Sequence, residues 1–154
     1  MNLYSFKLFF LCDLMSEYKI PSITADIFIF DDDLNFILIK RKNDPYKDCW
    51  AIPGGFVEYG ESVETAAIRE AKEETSIDVE LIDLVNVYSK PDRDPRGHTI
   101  TVAYTAKGNF EDKKADSDAS DISIFNEKKL DDIKLAFDHE KIIKDCLKTI
   151  KNKL

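Results

Sequence analysis

Two hydrophobic runs near the start of the chain are separated by a polar triplet. Residues 22–30 and 36–39 are rich in β-branched and aromatic side chains, and Asp31, Asp32 and Asp33 lie between them. Runs of this composition that are bounded by polar clusters are typical of β-strands. The pattern therefore predicts a hairpin of two strands.

A turn and a helix are predicted next. The short apolar segment 50–52 is followed by Pro53, Gly54 and Gly55, and paired glycines allow a backbone turn that other residues resist. Residues 62–75 contain neither Gly nor Pro and are rich in Ala, Glu, Arg and Lys, a composition that favours a helix.

The second half of the chain returns to strand-like patterns. Residues 79–87 and 99–106 are predicted to be strands, as is the short segment 122–125. Residues 109–121 are acidic and polar, which indicates a surface loop of the kind that closes over ligands.

A C-terminal helix completes the pattern. Asp138 is the predicted N-cap, and apolar residues follow it at helical spacing: Ile142, Ile143, Cys146, Leu147 and Ile150. Strands and helices succeed one another without a regular strand–helix alternation. We therefore expect an α+β fold in which helices cover both faces of a mixed sheet.

The length of the chain fits one domain. It has 154 residues, of which 44% are hydrophobic and 34% charged, enough for an ordinary buried core. We predict a single domain over residues 15–154. Residues 1–14 are an apolar-rich extension, and Met15 is an alternative start; a packed strand and a membrane-targeting segment are the other interpretations.

Charge and cysteine spacing restrict the partners. A net charge of −8 disfavours nucleic acid as a partner, and the N-terminal apolar run is too short to span a bilayer. Cys12, Cys49 and Cys146 are widely spaced, so they indicate neither a disulfide framework nor a zinc site. We expect a cytoplasmic protein without nucleic-acid or membrane partners.

Carboxylates continue the apolar face of the predicted helix. At 100° per residue, one arc holds Val63, Ala66, Ala67, Glu70, Glu73, Glu74 and Ile77. Carboxylates turned toward a core repel one another unless a cation offsets their charge. Hard oxygen ligands at this spacing suit Mg²⁺ or Mn²⁺. The alternative is a solvated face with ion pairs such as Arg69 with Glu73.

The sequence around this helix resembles the Nudix box. Gly55 is followed after five residues by Glu61 and after seven more by Arg69-Glu70-Ala71-x-Glu73-Glu74-x-Ser76-Ile77. Every acidic position of the motif is present. Ser76 replaces the glycine that ends the helix in the motif, and Ala71 is small for an aliphatic position; neither change removes a ligand. The resemblance implies an α/β/α sandwich and a metal-dependent pyrophosphatase.

The resemblance also assigns roles. Glu70, Glu73 and Glu74 would bind the metal, and Glu70 is a candidate base. Arg69 would orient the glutamates and Glu61 would brace the loop before the helix. Since Nudix enzymes often use an acidic residue from a later loop, further candidates for a metal ligand or base are Asp116, Asp121 and above all Asp118.

The loop from Tyr88 to His98 is similar to that of Nudix ADP-ribose pyrophosphatases. Pro91 lies fifteen residues beyond Ser76, which is typical of ADP-sugar hydrolases in that family. We expect Arg93, Arg96 and Gly55 to contact the substrate, with ADP-ribose cleaved to AMP and ribose 5-phosphate. Alternatively, the arginines pair with acidic residues of their own loop, Asp92 and Asp94.

Other interpretations follow from the same resemblance. Residues 135–140 resemble a C-terminal stretch of the same subfamily. We expect Asp138 to cap the last helix and Phe137 to pack beneath it, with His139 as a less favoured catalytic base. The rival functions are a hydrolase of oxidised dNTPs or dinucleoside polyphosphates and a non-enzymatic sensor of sugar nucleotides. A homodimer is expected because Nudix ADP-sugar hydrolases are often dimers.

Overall fold

The computed structural model describes residues 19–111 and 119–153, so the N-terminal extension predicted at residues 1–14 lies outside it. The strands are β1 Ser22–Phe30, β2 Phe36–Arg41, β3 Trp50–Ala51, β4 Gly54–Phe56, β5 Val79–Tyr88, β6 Thr99–Gly108 and β7 Ala119–Phe125. The α-helices are α1 Val63–Thr75 and α2 His139–Lys151, and a 3-10 helix covers Glu127–Asp132. Neither α-helix in this part of the chain is long and apolar enough to cross a membrane.

One mixed sheet contains all seven strands of the described part of the chain. Its main order is β3-β2-β1-β6-β5, while β4 pairs with β1 and β7 pairs with β2. β1 runs parallel to β6 over its whole length, and the other pairs are antiparallel. The predicted α+β class and mixed sheet are confirmed.

The two faces of β1 belong to two different cores because side chains alternate along a strand. Ala25, Ile27 and Ile29 pack in the core with α1, whereas Phe28 and Phe30 pack in the core with α2. Among the described residues, the sheet is therefore covered by one α-helix on each face. By the same alternation, Asp26 points to the α2 side of the sheet.

Two predicted elements differ in detail. β1 and β2 meet as a hairpin only at Phe30 and Phe36, because β2 turns away to pair with β3 and β7. The predicted loop 109–121 ends earlier than expected, since β7 already starts at Ala119. Asp121 is thus a strand residue that pairs with Lys40. Backbone pairing with β2 places it in a strand, although its polar side chain had favoured a loop.

The two ends of α1 are set by a capping serine at the N-terminus and a left-handed residue at the C-terminus. The hydroxyl of Ser62 accepts a hydrogen bond from the backbone N–H of Thr65 at 3.2 Å, which caps the N-terminus. Ser76 ends the helix with φ 60° and ψ 8°, the left-handed conformation. The exit turn is therefore the one that a glycine would adopt most easily.

Asp138 occupies the N-cap position of α2, but its side chain makes no capping hydrogen bond. The predicted capping role is therefore wrong. The carboxylate instead accepts hydrogen bonds from Arg93, and a charge-assisted bidentate pair is stronger than one bond to a backbone N–H.

Ser76→Gly should stabilise the protein by about 0.5–1 kcal/mol. A non-glycine residue in the left-handed region costs roughly 1–2 kcal/mol, and the greater freedom of glycine in the unfolded chain offsets part of that gain. Urea denaturation should show a higher midpoint with an unchanged slope. Ser123→Gly, within strand β7, is the matched control and should lower the midpoint. An unchanged or lower midpoint for Ser76→Gly would show that the serine is not strained.

Candidate functional site

A cleft of about 440 Å³ lies where β1, β4, α1 and the loops before β3 and β6 converge. We call it the cleft throughout. Its lining contains acidic side chains of Asp26, Asp44, Glu58, Glu70, Glu74 and Asp94, and basic side chains of Arg41, Lys42, Arg69, Arg93 and Arg96. The volume falls in the range of small-molecule sites.

Arg69 joins α1 to the loop and the strand that precede it. Its Nε and Nη2 donate to the carboxylate of Glu61 at 2.9 and 3.0 Å, and Nη2 also donates to the carbonyl oxygen of Phe56 at 3.1 Å. Nη1 donates to Glu70 at 2.7 Å and to Glu73 at 3.1 Å. The pKa of Arg69 is raised, mainly by its hydrogen bonds with Glu61, so this guanidinium stays charged.

The three glutamates of α1 have different surroundings. Glu74 is buried and accepts a hydrogen bond from the backbone N–H of Gly54 at 2.9 Å. Glu70 is largely buried, and burial raises its pKa despite the hydrogen bond from Arg69. The Glu73 side chain is 50% exposed and reaches back to Arg69.

The expectation that Glu73 lies on the buried face of α1 is wrong. The buried residues of the helix include Ala71 and Thr75, which lie outside the predicted arc, so the buried face is rotated toward them and leaves Glu73 at the solvent edge. The position of the helix across the sheet sets this rotation, and a helical wheel contains no information about it. Glu70 and Glu74, but not Glu73, line the cleft.

The oxygen donors of the cleft fit a hard divalent cation. Glycine at position 55 supports this, because a Cβ there would lie 2.3 Å from Oε1 of Glu70. The glycine backbone thus lets the carboxylate approach β4. Within residues 19–111 and 119–153, no three acidic, histidine or cysteine side chains are gathered closely enough to hold an ion. Asp116 and Asp118 lie outside the described residues, and Asp121 is not part of the cleft lining.

Asp26 was not predicted as a site residue. It is 6% exposed, and its Oδ2 has no hydrogen-bond partner among the described residues. Burial, which outweighs the attraction of Arg93, raises its pKa to about 7, and the negative charges of Asp138 and Glu70 add to the shift. The available signal was an ionisable residue within an apolar strand, where a carboxylate is rarely buried without a function or a partner.

His139 lies against Asp26. Its Nδ1 accepts a hydrogen bond from the backbone N–H of Ile52 at 2.9 Å, so the proton of the neutral ring is on Nε2. Nε2 lies 3.6 Å from Oδ2 of Asp26. Burial lowers the pKa of His139 to about 3, so the ring is neutral and a poor base.

The two arginines of the loop before β6 differ in their contacts. The side chain of Arg93 is 5% exposed; it donates to Asp138 at 2.5 and 3.0 Å and to Thr101 at 2.5 Å. Arg96 is 42% exposed and donates to the buried carboxylate of Asp94 at 2.7 Å. Only Arg96 pairs within its own loop, and both side chains line the cleft.

Sequence reasoning also missed Arg41, Lys42 and Phe56 in the cleft lining. The basic run at residues 40–42 directly after a predicted strand was the available signal for the first two. Phe56 carried no such signal, because an aromatic residue after a turn is ordinarily part of a core.

Asp26→Asn should change the pH dependence of stability in protein freed of divalent cations by a chelator. A carboxyl whose pKa is higher in the folded than in the unfolded state contributes stability below about pH 4 and loses it as the pH rises through about 7. The variant cannot titrate, so its advantage over the wild type should grow across this window to a few kcal/mol, on the order of 1.4 kcal/mol per pKa unit.

Thermal denaturation from pH 4 to pH 8.5 measures this difference. Glu80→Asn is the control, because Glu80 is exposed on β5. A constant difference between Asp26→Asn and the wild type at all pH values would contradict the raised pKa.

Comparisons with known proteins place the chain in a family. The NUDIX domain model matches residues 21–146. The ADP-ribose pyrophosphatase of Methanocaldococcus jannaschii is 48% identical over 131 residues, which cover 85% of this chain and 76% of that protein. The ADPR responsive transcriptional repressor NtrR of Acinetobacter baylyi is 35% identical over 147 residues, or 90% of this chain, but the match spans only 58% of the repressor.

A solved structure gives a similar result. The crystal structure of a bifunctional NMN adenylyltransferase/ADP ribose pyrophosphatase from Francisella tularensis, complexed with AMP and Mn ion, is 27% identical, with a TM-score of 0.79 over 92% of this chain and 45% of that one. Because the family model spans most of the chain and includes the glutamate-bearing helix, this protein belongs to the NUDIX domain family, as a Nudix hydrolase similar to ADP-ribose pyrophosphatases.

Proposed function

We propose that this Nudix hydrolase cleaves ADP-ribose to AMP and ribose 5-phosphate with Mg²⁺ or Mn²⁺. The observation that carries the proposal is the arrangement of the cleft, in which Glu70 and Glu74 line the same cavity as the half-exposed Arg96. Carboxylates for a cation and a guanidinium for phosphate oxygens are the two requirements of a diphosphate site. The identity with the Methanocaldococcus jannaschii enzyme supports the choice of substrate.

Glu70 and Glu74 would hold the cation, and Glu73 would join them by leaving Arg69. When bound, the cation supplies positive charge for the diphosphate oxygens and favours ionisation of the attacking water. Asp118 remains a proposed further ligand.

The chain itself orients these groups. Arg69 fixes Glu70, and the N–H of Gly54 fixes Glu74, so both carboxylates are positioned before substrate arrives. Glu70, whose pKa is raised by burial, is the candidate base. Arg96, Arg41 and Lys42 add positive charge to the wall of the cleft, which favours binding of an anionic substrate to a protein of net charge −8.

Arg93 differs from Arg96 in what it offers a substrate. Its nitrogens already donate to Asp138 and Thr101, so its main expected role is to anchor the loop. A direct contact between Arg93 and phosphate stays a prediction, as do the substrate contact of Gly55, the homodimer and the cytoplasmic location.

A sensor without hydrolytic activity is the second candidate, because the chain resembles an ADP-ribose-responsive repressor over 90% of its length. ADP-ribose would then bind without being cleaved. The carboxylates of Glu70 and Glu74 in the cleft favour the enzyme.

A substrate panel tests the proposal. With Mg²⁺ or Mn²⁺, we expect hydrolysis of ADP-ribose to AMP and ribose 5-phosphate, identified by phosphorus NMR, at a higher kcat/KM than for NADH, diadenosine polyphosphates or 8-oxo-dGTP. A higher kcat/KM for 8-oxo-dGTP or a dinucleoside polyphosphate would replace the substrate assignment. Binding of ADP-ribose with no turnover under any metal would favour the sensor.

The second prediction concerns the metal requirement and the residues proposed to bind the metal. Excess EDTA should abolish turnover, and Glu70→Gln and Glu74→Gln should each lower kcat by about a hundredfold or more. Glu73→Gln should have a smaller effect, because the Glu73 side chain is half exposed and does not line the cleft. The control is Glu80→Gln on β5, which should retain full activity. Undiminished turnover in EDTA, or a Glu74→Gln variant as active as the control, would contradict the assigned ligands.

A further inference from the structure

Phe56, Arg96 and Phe137 line the cleft and form a row of aromatic and guanidinium groups. The guanidinium carbon of Arg96 lies 5.4 Å from the ring centroid of Phe56 and 5.3 Å from that of Phe137. The ring of Phe137 in turn contacts Tyr46, with centroids 4.7 Å apart. We call Phe56, Arg96, Phe137 and Tyr46 the aromatic row.

A buried carboxylate holds Arg96, the guanidinium of the aromatic row. Asp94, whose side chain is 3% exposed, accepts hydrogen bonds from Nε and Nη2 of Arg96. Burial opposes ionisation of Asp94, but the hydrogen bonds from Arg96 outweigh it and keep the pKa of Asp94 below its usual value. The guanidinium is therefore fixed by a charged partner and supports the ring of Phe56 from one side.

Phe56 is nevertheless 47% exposed. A large aromatic side chain that lines a charged cleft and keeps nearly half of its surface accessible has apolar area left for a ligand.

The aromatic row adjoins the carboxylates. Phe56 directly follows Gly55, whose backbone packs against Glu70, and the carbonyl oxygen of Phe56 accepts a hydrogen bond from Arg69. Gly55 and Phe56 are neighbours on β4, about 3.3 Å apart along the strand, so the carboxylates and the aromatic row meet at adjacent positions of this strand. A ligand that is anionic at one end and planar at the other fits this division.

We infer that Phe56, supported by Arg96, is the stacking surface for the nucleobase of the substrate. This inference rests on the proposed nucleotide-sugar substrate and adds the part of the cleft that receives the base. Stacking on a ring accepts any base and favours the larger purines. Phe56 is thus a binding residue that contributes to affinity for the base and not to cleavage of the diphosphate.

Binding of the two products separates these contributions. AMP carries the base and ribose 5-phosphate does not, so Phe56→Ala should raise the Kd for AMP by about 5- to 100-fold, the range for loss of one base–aromatic stack. The Kd for ribose 5-phosphate should stay within about twofold of the wild type. Isothermal titration with Mg²⁺ present measures both, and Phe56→Tyr should restore AMP binding because it keeps a ring.

Two variants control for structure. Phe56→Leu keeps an apolar side chain of similar size, so it tests the ring even if the alanine variant is unstable. Tyr59→Ala removes a fully exposed aromatic residue in the next loop and should leave both Kd values unchanged. Kinetics with ADP-ribose should show a raised KM and a nearly unchanged kcat for Phe56→Leu.

The outcomes distinguish the inference from the proposed function. Wild-type affinity for AMP in Phe56→Leu, with ADP-ribose still hydrolysed, would overturn the stacking surface and leave the function intact. Equal losses for AMP and ribose 5-phosphate would also overturn it, because the defect would then not concern the base. A wild-type protein that neither binds AMP nor cleaves ADP-ribose would overturn both.

Discussion

The guanidinium of Arg69 is the contact on which the arrangement of the cleft depends. It binds the Glu61 carboxylate, the Phe56 carbonyl and two glutamates of α1. These contacts fix the positions of the loop, strand β4 and the helix relative to one another. Without this positive charge, Glu61, Glu70 and Glu73 would repel one another at short range. Stability and the orientation of the proposed ligands therefore come from the same side chain.

A second constraint comes from the sheet. β1 lies at its centre, and its alternation assigns apolar side chains to both cores. Asp26 takes one of these buried positions and faces the neutral ring of His139. A carboxyl kept at a pKa of about 7 weakens the fold at neutral pH, a cost that is understandable if the group serves the cleft.

The loop before β6 shows how one short segment supplies both support and recognition. Arg93 turns inward to Asp138 at the start of α2, which leaves that helix without its side-chain cap. Arg96, three residues later, remains at the surface of the cleft with Asp94 beneath it and two phenyl rings beside it. The buried pair fixes the loop, and the exposed guanidinium is thereby presented to a ligand.

The sequence by itself determined the elements whose signals are local. Strand composition, the helix-favouring residues 62–75 and the spacing of their glutamates predicted the mixed sheet, the helix and the glutamate-bearing segment, because each depends on residues close together in the chain. Tertiary structure decided the rest. The rotation of α1 that exposes Glu73, the pairing of Arg93 with Asp138 at 45 residues' distance, and the meeting of Asp26 with His139 all depend on how elements pack. No local pattern encodes these contacts, because burial and charge partners are set by segments that are distant in sequence and meet only in the folded chain.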